Sequence, residues 1–323
     1  MKLPRRSFLH LAAGAALAAA VRPACAQAYP TRNVRLIVGF GPGGAPDVLA
    51  RLTGQWLSDR LGHTFIIENR TGASSNLATQ IVIDAAPDGH VLLLASLANA
   101  VNASLYDNMA FDFARDIAPV AGISRDPNVV VVNPSFPVHT LPEFIAYAKA
   151  NPGKINMASP GVGTSPHMAG ELFKYMTGID MVHVPYRASP PAITDLMGGQ
   201  VQVYFSPIAA AIEYVRAGKL RALAISSTKR SDALPDLPSI AEFVPGYDAG
   251  AFYGIAAPAK TPVAVVEKLN REIQAGLSDP TLKKRFADLG SVPFLGSPTD
   301  FGNLIAAETE KWTKVVKFAN IKP

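Results

Sequence analysis

Short apolar runs rich in β-branched residues alternate with amphipathic stretches along most of this chain. Residues 34–40, apolar but for Arg35 and Gly39, predict a buried strand. Residues 46–61 follow, with Val48, Leu49, Leu52, Trp56 and Leu57 on one helical face and Gly62 as a stop. A strand at 64–68, a helix at 77–86 closed by Pro87-Asp88-Gly89, and a strand at 91–95 complete a βαβαβ order. That order implies a parallel sheet covered by helices. After an apolar strand at 128–133 the alternation restarts. Helices at 141–150, 167–176, 192–197 and 208–217 interleave with strands at 155–158, 181–184, 201–205 and 220–225. A strand at 252–256 and helices at 262–277 and 299–318 follow. One α/β unit is thus nested inside another. The expected fold class is α/β with two lobes, residues 27–128 with 251–323 and residues 129–250, joined by two crossovers. Open α/β sheets bind ligands beyond the carboxyl ends of their strands, so a ligand cleft is expected between the lobes.

The first 26 residues stand outside this pattern. A basic start, an uncharged apolar run at 8–21 and Ala24-Cys25-Ala26 have the order of a secretory leader. The run falls short of the roughly 20 apolar residues of a membrane span. Arg5-Arg6-Ser7-Phe8-Leu9 has the form of a twin-arginine signal. Cleavage near Ala26 removes four basic residues and no acidic one, so the net charge falls from +5 to +1. The high pI therefore belongs to the leader and is no argument for nucleic acid. Cys25, the only cysteine, leaves as well, which removes disulfides, a thiolate nucleophile and Cys-based metal sites from the mature chain. A periplasmic location is expected.

Two loops carry the candidate chemistry. Gly39-Phe40-Gly41-Pro42-Gly43-Gly44 joins the first strand to the first helix. Glycines let the backbone approach a ligand, and the helix start presents N–H groups and a partial positive charge. Asp47 either caps that helix or meets a ligand hydroxyl. The second loop runs from Ser159 to His167 and includes Gly161, Gly163, Thr164 and Ser165, again between strand and helix. Thr164 or Ser165 is placed to cap the helix and to donate to an anion. Neither loop carries Lys or Arg, so a carboxylate held by Gly43, Gly44, Gly163, Thr164 and Ser165 is expected, rather than a polyphosphate. Asn99 either faces the cleft or caps the next turn. Arg187 either pairs with Asp195 or reaches the ligand. Phe40, Tyr186, Phe205 and Ser206 lie at strand ends, where they either line the apolar body of a ligand or belong to the core.

Catalytic patterns are missing. There is no G-x-S-x-G elbow, no H-x-x-x-H and no P-loop lysine, and the mature histidines are scattered without ligand spacing. One alternative carries a specific signal. The first loop matches G-x-G-x-x-G, and Glu68 stands 24 positions after Gly44, where a dinucleotide fold keeps its ribose carboxylate. An exported NAD(P)-dependent oxidoreductase is therefore the competing reading. Against it, Pro42 and Pro46 remove N–H groups from the turn that would wrap a pyrophosphate.

Tyr29-Pro30, then Val34-Arg35-Leu36-Ile37-Val38 with Gly43-Gly44 and Asp47, is similar to the start of mature Bug-type receptors. These are the substrate-binding proteins of tripartite tricarboxylate transporters. The resemblance runs through Glu68-Asn69-Arg70, Pro87-Asp88-Gly89, Asn151-Pro152-Gly153, Tyr186-Arg187, Gly198-Gly199-Gln200-Val201 and Leu234-Pro235-Asp236-Leu237-Pro238-Ser239 to the tail around Trp312. It implies a two-lobed periplasmic binding protein fold, type II-like, that closes on a small carboxylate. It places the carboxylate-holding loops at 41–47 and 161–165, acting partly through ordered water. It also implies delivery to membrane permease subunits. A monomer without cofactor is expected, and a binding protein that signals to a membrane sensor instead of a permease is a third reading. Gly39, Pro46, the stretch from Ser74 to Ala78, Ala188 and Ser206 depart from the usual pattern, so the cleft lining is this chain's own.

Overall fold

The computed structural model describes residues 29–106 and 108–321, so the leader expected at 1–26 lies outside the described residues. From Arg32 onward the chain forms one compact unit. It begins as the apolar periodicity predicts: β1 (Val34–Val38), α1 (Ala45–Leu61), β2 (Phe65–Asn69), α2 (Asn76–Ile83) and β3 (Val91–Ser96). β1 lies between β2 and β3 in parallel register. α1 buries Leu49, Ala50, Thr53 and Leu57 and ends at Gly62, whose left-handed φ of 73° closes the last turn.

Two elements depart from expectation at this point. Chain leaves β3 directly into α3 (Leu97–Leu105), and after the short α4 (Phe113–Asp116) it enters β4 (Ile117–Val132), 16 residues long. Only the last quarter of β4, residues 129–132, carries an uninterrupted apolar run. Its earlier part holds Pro119, Gly122, Arg125 and Pro127, which break the alternation expected of a strand. Register shifts beside Pro119 and Gly122 absorb those residues as bulges.

The second unit comprises α5 (Leu141–Ala150), β5 (Asn156–Ser159), α6 (Ser165–Thr177), β6 (Val182–Pro185), α7 (Ser189–Met197), β7 (Val203–Pro207), α8 (Ile208–Arg216) and β8 (Arg221–Ile225). β9 (Gly250–Pro258) then returns, followed by α9 (Val263–Ser278), α10 (Pro280–Asp288), β10 (Val292–Pro293) and α11 (Pro298–Phe318). The strand order is β2-β1-β3-β9-β4-β7-β5-β6, with β8 and β10 on β4. β4 pairs antiparallel with β9 over Ile117–Pro127 and with β7 and β8 over Asn128–Val132. It thereby carries the chain from one lobe into the other, and the start of β9 brings it back. The result is a two-lobed α/β fold with one sheet bent across the junction. α10 and β10 had no apolar periodicity long enough to announce them.

Candidate ligand cleft

Five helices begin at one enclosed space between the lobes. α1 starts at Gly44, α3 at Ser96, α6 at Thr164, α7 at Ala188 and α8 at Pro207. All five starting residues line the cavity, together with Phe40, Leu97, Ser165, Ser189 and Tyr253. None of the lining residues carries a formal charge at neutral pH. The helices from Gly44, Thr164, Ala188 and Pro207 have no side-chain cap, which leaves first-turn N–H groups without side-chain partners. Converging helix starts make the space electropositive without a lysine or arginine.

Buried neighbours set two serine hydroxyls as donors. Asn128 Nδ2 donates to Ser165 Oγ at 2.7 Å, and the Tyr204 phenol donates to Ser189 Oγ at 2.9 Å. Each serine oxygen is an acceptor in that bond, so its hydrogen remains to donate elsewhere. The Tyr253 hydroxyl makes no hydrogen bond among the described residues and lines the same space. The enclosed volume is about 30 Å³, against the roughly 300–1,000 Å³ of an ordinary ligand pocket.

Close contacts across the cleft explain that small volume. A Cβ at Gly41 would stand 2.9 Å from Ala188 Cβ, so only glycine permits this approach. Ser74 Oγ donates to the Val162 carbonyl of the opposite lobe. Gly163, at φ 75°, backs onto α3, where an added Cβ would meet Leu105 at 2.7 Å.

Several expected ligand contacts are used inside the protein instead. Gly43 N–H donates to Asp47 Oδ2 at 3.0 Å, and Gly163 N–H donates to His167 Nδ1 at 3.1 Å. Neither glycine N–H is therefore left for a carboxylate. Asp47 neither caps its own helix nor meets the cavity; it braces the preceding loop together with Arg51 and Asn69. Burial pushes the Asp47 carboxyl up, and hydrogen bonds from Arg51, Gly43 and Asn69 more than reverse this, leaving it below its ordinary range. Thr164 supplies the cap position of α6 but its hydroxyl donates to Gly161 O at 2.6 Å, which tightens the loop rather than the helix.

Asn99 is the third residue of α3 and is spent in a capping box with Ser96, accepting the Ser96 N–H at 2.8 Å. It also donates to Thr79 Oγ1 at 2.9 Å, so it braces helices instead of facing the cavity. Phe205 is fully buried against Phe173, with ring centroids 5.4 Å apart. Ser206 is equally buried and donates to the Pro207 carbonyl. Both belong to the core because β7 is covered on its two faces. Phe40, Gly41, Gly44, Thr164 and Ser165 do line the cavity.

Tyr186 and Arg187 border a second hollow of about 410 Å³ at the mouth, which shares Phe40 and Pro160 with the inner cavity. Asp195 pairs with the Tyr186 phenol at 2.6 Å and not with Arg187. Burial and that acid push the phenol up to about 12. Sequence reasoning passed over Ser96, Ser189, Pro207 and Tyr253. Ser189-Pro190-Pro191 did hold a signal, since it repeats the Ser165-Pro166 helix start.

Glu68, the supposed ribose ligand, is bound by Arg35 at 2.6 and 2.9 Å and by Arg70 at 2.9 Å. The Arg35 hydrogen bond leads in holding its carboxyl down to about 2. It acts in an ion-pair group on the first-lobe sheet and is not free for a nucleotide. Among the described residues no cluster of three metal-ligating side chains is present.

Residues 49–321 match the family model of the tripartite tricarboxylate transporter family receptor. The chain belongs to this receptor family. It is 35% identical to Protein BugT of Bordetella pertussis over 310 residues, covering 95% of each chain. Among solved structures, Rpa4515 of R. palustris with adipate has a TM-score of 0.89 at 37% identity, covering 91% of this chain and 99% of that one. MatC (Rpa3494) from Rhodopseudomonas palustris with bound malate has a TM-score of 0.85 at 31% identity, covering 89% and 100%. The receptor fold and the Bug-type resemblance read from the sequence are both upheld. Receptor-family membership also decides against the oxidoreductase as the main reading.

Proposed function

We propose that this chain is an exported, non-catalytic receptor that captures a small organic carboxylate between its lobes and hands it to a tripartite tricarboxylate-type permease. The carrying observation is the convergence of five helix starts on a cavity lined by no charged side chain. A helix start contributes about 0.3–1 kcal/mol toward an anion, and up to roughly 2 kcal/mol when partly buried. A hydrogen bond to a charged group adds roughly 1.5–3 kcal/mol. Gly44, Ser165, Ser189 and Tyr253 are the assigned carboxylate contacts, with Phe40 and Leu97 against the apolar body. The carboxylates named for Rpa4515 and MatC support the same class.

The described residues of 32–128 and 251–323 move as one lobe and 129–250 as the other. β4 and the start of β9 form the hinge. The small cavity volume supports a parting of the lobes to admit ligand. The mature protein begins near Gln27 and works in the periplasm as a monomer, which intact mass and light scattering of periplasmic protein would check.

Calorimetry against mono-, di-, tricarboxylic and aromatic acids, with the matching neutral amides, tests the reading. Acids are expected to bind and amides to fail, and small-angle scattering is expected to show a more compact particle with ligand. Amides binding as tightly as their acids would overturn the anion assignment. An absorbance band from a bound nicotinamide in purified protein would favour the oxidoreductase.

A further inference from the structure

Among the described residues, Arg187 is the only charged one that lines the inner cavity or the adjoining hollow. It is exposed, and it makes no ion pair or hydrogen bond among the described residues. The one acid expected to neutralise it, Asp195, is taken by the Tyr186 hydroxyl. Its position is fixed closely even though its guanidinium is free. The Arg187 carbonyl would lie 3.7 Å from a Cβ placed on Gly41, and the next residue, Ala188, begins α7 at the inner cavity. The charge therefore stands one residue outward from a helix start that faces the ligand space. Phe40 and Pro160 line both hollows, which therefore adjoin across an apolar wall.

We propose that Arg187 is a specificity-determining residue that holds a second oxyanion of the ligand at the cleft mouth. This rests on the carboxylate reading of the inner cavity. Helix starts suit one anion in the enclosed end. The apolar wall of Phe40 and Pro160 suits a short carbon chain. The unpaired guanidinium supplies a two-pronged donor for a planar carboxylate at the far end. A ligand of this form spans both lobes, because Arg187 belongs to the second lobe while Phe40 and Gly44 belong to the first. The second anion thus adds a contact to the closed form.

The test is calorimetry with linear diacids from succinate to suberate and with monoacids of the same chain lengths. Wild-type protein is expected to prefer at least one diacid to its monoacid. In Arg187→Gln the diacid-to-monoacid affinity ratio is expected to fall by about tenfold, in line with one charge-assisted hydrogen bond. Arg187→Lys is expected to restore part of that ratio, and the diacid preference is expected to shrink as salt rises. An unchanged ratio in Arg187→Gln would overturn the distal site while leaving the inner carboxylate site intact, as would equal wild-type affinity for diacids and monoacids. No binding of any acid by wild-type protein would overturn both readings. Circular dichroism of Arg187→Gln checks its fold, and the exposed side chain gives no reason for a change.

Discussion

The two loops that face each other across the cleft share one plan and are braced in opposite ways. In the first lobe the brace is charged. Asp47 accepts Gly43 N–H at 3.0 Å, Arg51 at 2.9 and 3.0 Å, and Asn69 at 3.0 Å. In the second lobe the brace is neutral. His167 Nδ1 accepts Gly163 N–H at 3.1 Å, and His183 Nε2 lies 2.6 Å from Ser159 Oγ. The two imidazoles stack with centroids 3.9 Å apart. Accepting that N–H at Nδ1 requires the neutral tautomer with its proton on Nε2. Burial first, and then the charges of His183 and Lys174, push His167 well below its ordinary value. Burial, with help from Lys174, pushes His183 down to about 4.

The comparison separates two jobs that sequence alone merges. A glycine in an anion loop does not have to donate to the anion. Here Gly43 and Gly163 let the chain turn, and their N–H groups fasten the loop to a side chain behind it. The helix starts and the Ser165 and Ser189 hydroxyls remain for the carboxylate we propose.

The largest effect is expected from Gly44→Asp, which keeps both braces and puts a carboxylate on the cavity wall. Two like charges about 4 Å apart at an effective dielectric near 20 repel by about 4 kcal/mol, roughly a thousandfold in affinity. Calorimetry on the folded variant with any acid that binds wild type should find no measurable uptake. Near-normal affinity would move the anion away from the first helix start.

Acid should distinguish the two braces. His183 and His167 titrate lower when folded than when unfolded, near 6.5. Between about pH 6.5 and 4 the unfolded chain takes up protons that the folded chain refuses. Stability therefore falls as pH drops through this window, by on the order of 1–3 kcal/mol. Asp47, held below its ordinary value, keeps its contribution until the pH falls lower still. Urea melts at stepped pH should show the loss, and His183→Gln should flatten it. An equally steep profile in that variant would assign the loss to other groups.

His167→Leu and Asp47→Asn compare the braces directly. The first leaves Gly163 N–H buried without an acceptor and should cost roughly 1–3 kcal/mol. The second keeps an acceptor for Gly43 and frees an already exposed Arg51, so about 1 kcal/mol is expected. Denaturant melts that reversed this order would mean that the charged brace is the stronger one.

The smallest effect concerns the turn that touches the second loop. Ala73, Ser74 and Ser75 have φ values of 42°, 48° and 76°, the left-handed region that glycine adopts with least strain. Ala73→Gly should relieve strain and, after the entropy cost of glycine, stabilise by about 0.5 kcal/mol. A lower melting temperature would show that the Ala73 methyl contributes packing.

Much of the architecture could be read before folding was considered. The strands at Val34, Phe65 and Val91 and the helices from Ala45, Leu141 and Ile208 are periodic enough to announce themselves. Gly44, Thr164 and Ser165 were legible as cavity residues because glycine, a cap residue and a following proline mark a helix start. Tyr253 was not, since a tyrosine in an apolar strand has the same appearance in a core and in a cleft. Phe205 failed for the converse reason, because the far face of its strand is covered only after α6 packs.

The sequence by itself determined the alternation of strands and helices, the places where helices begin and the lack of charge in the two loops. Local periodicity and cap chemistry act within a few residues, so they are written along the chain. Tertiary structure alone decided which helix starts converge and which donors are already taken. Ser189 became a donor through Tyr204, and β4 became the bridge between lobes by pairing with β9 and then β7. Each depends on where the first turn of a helix comes to lie once the sheet has bent, which no local pattern specifies.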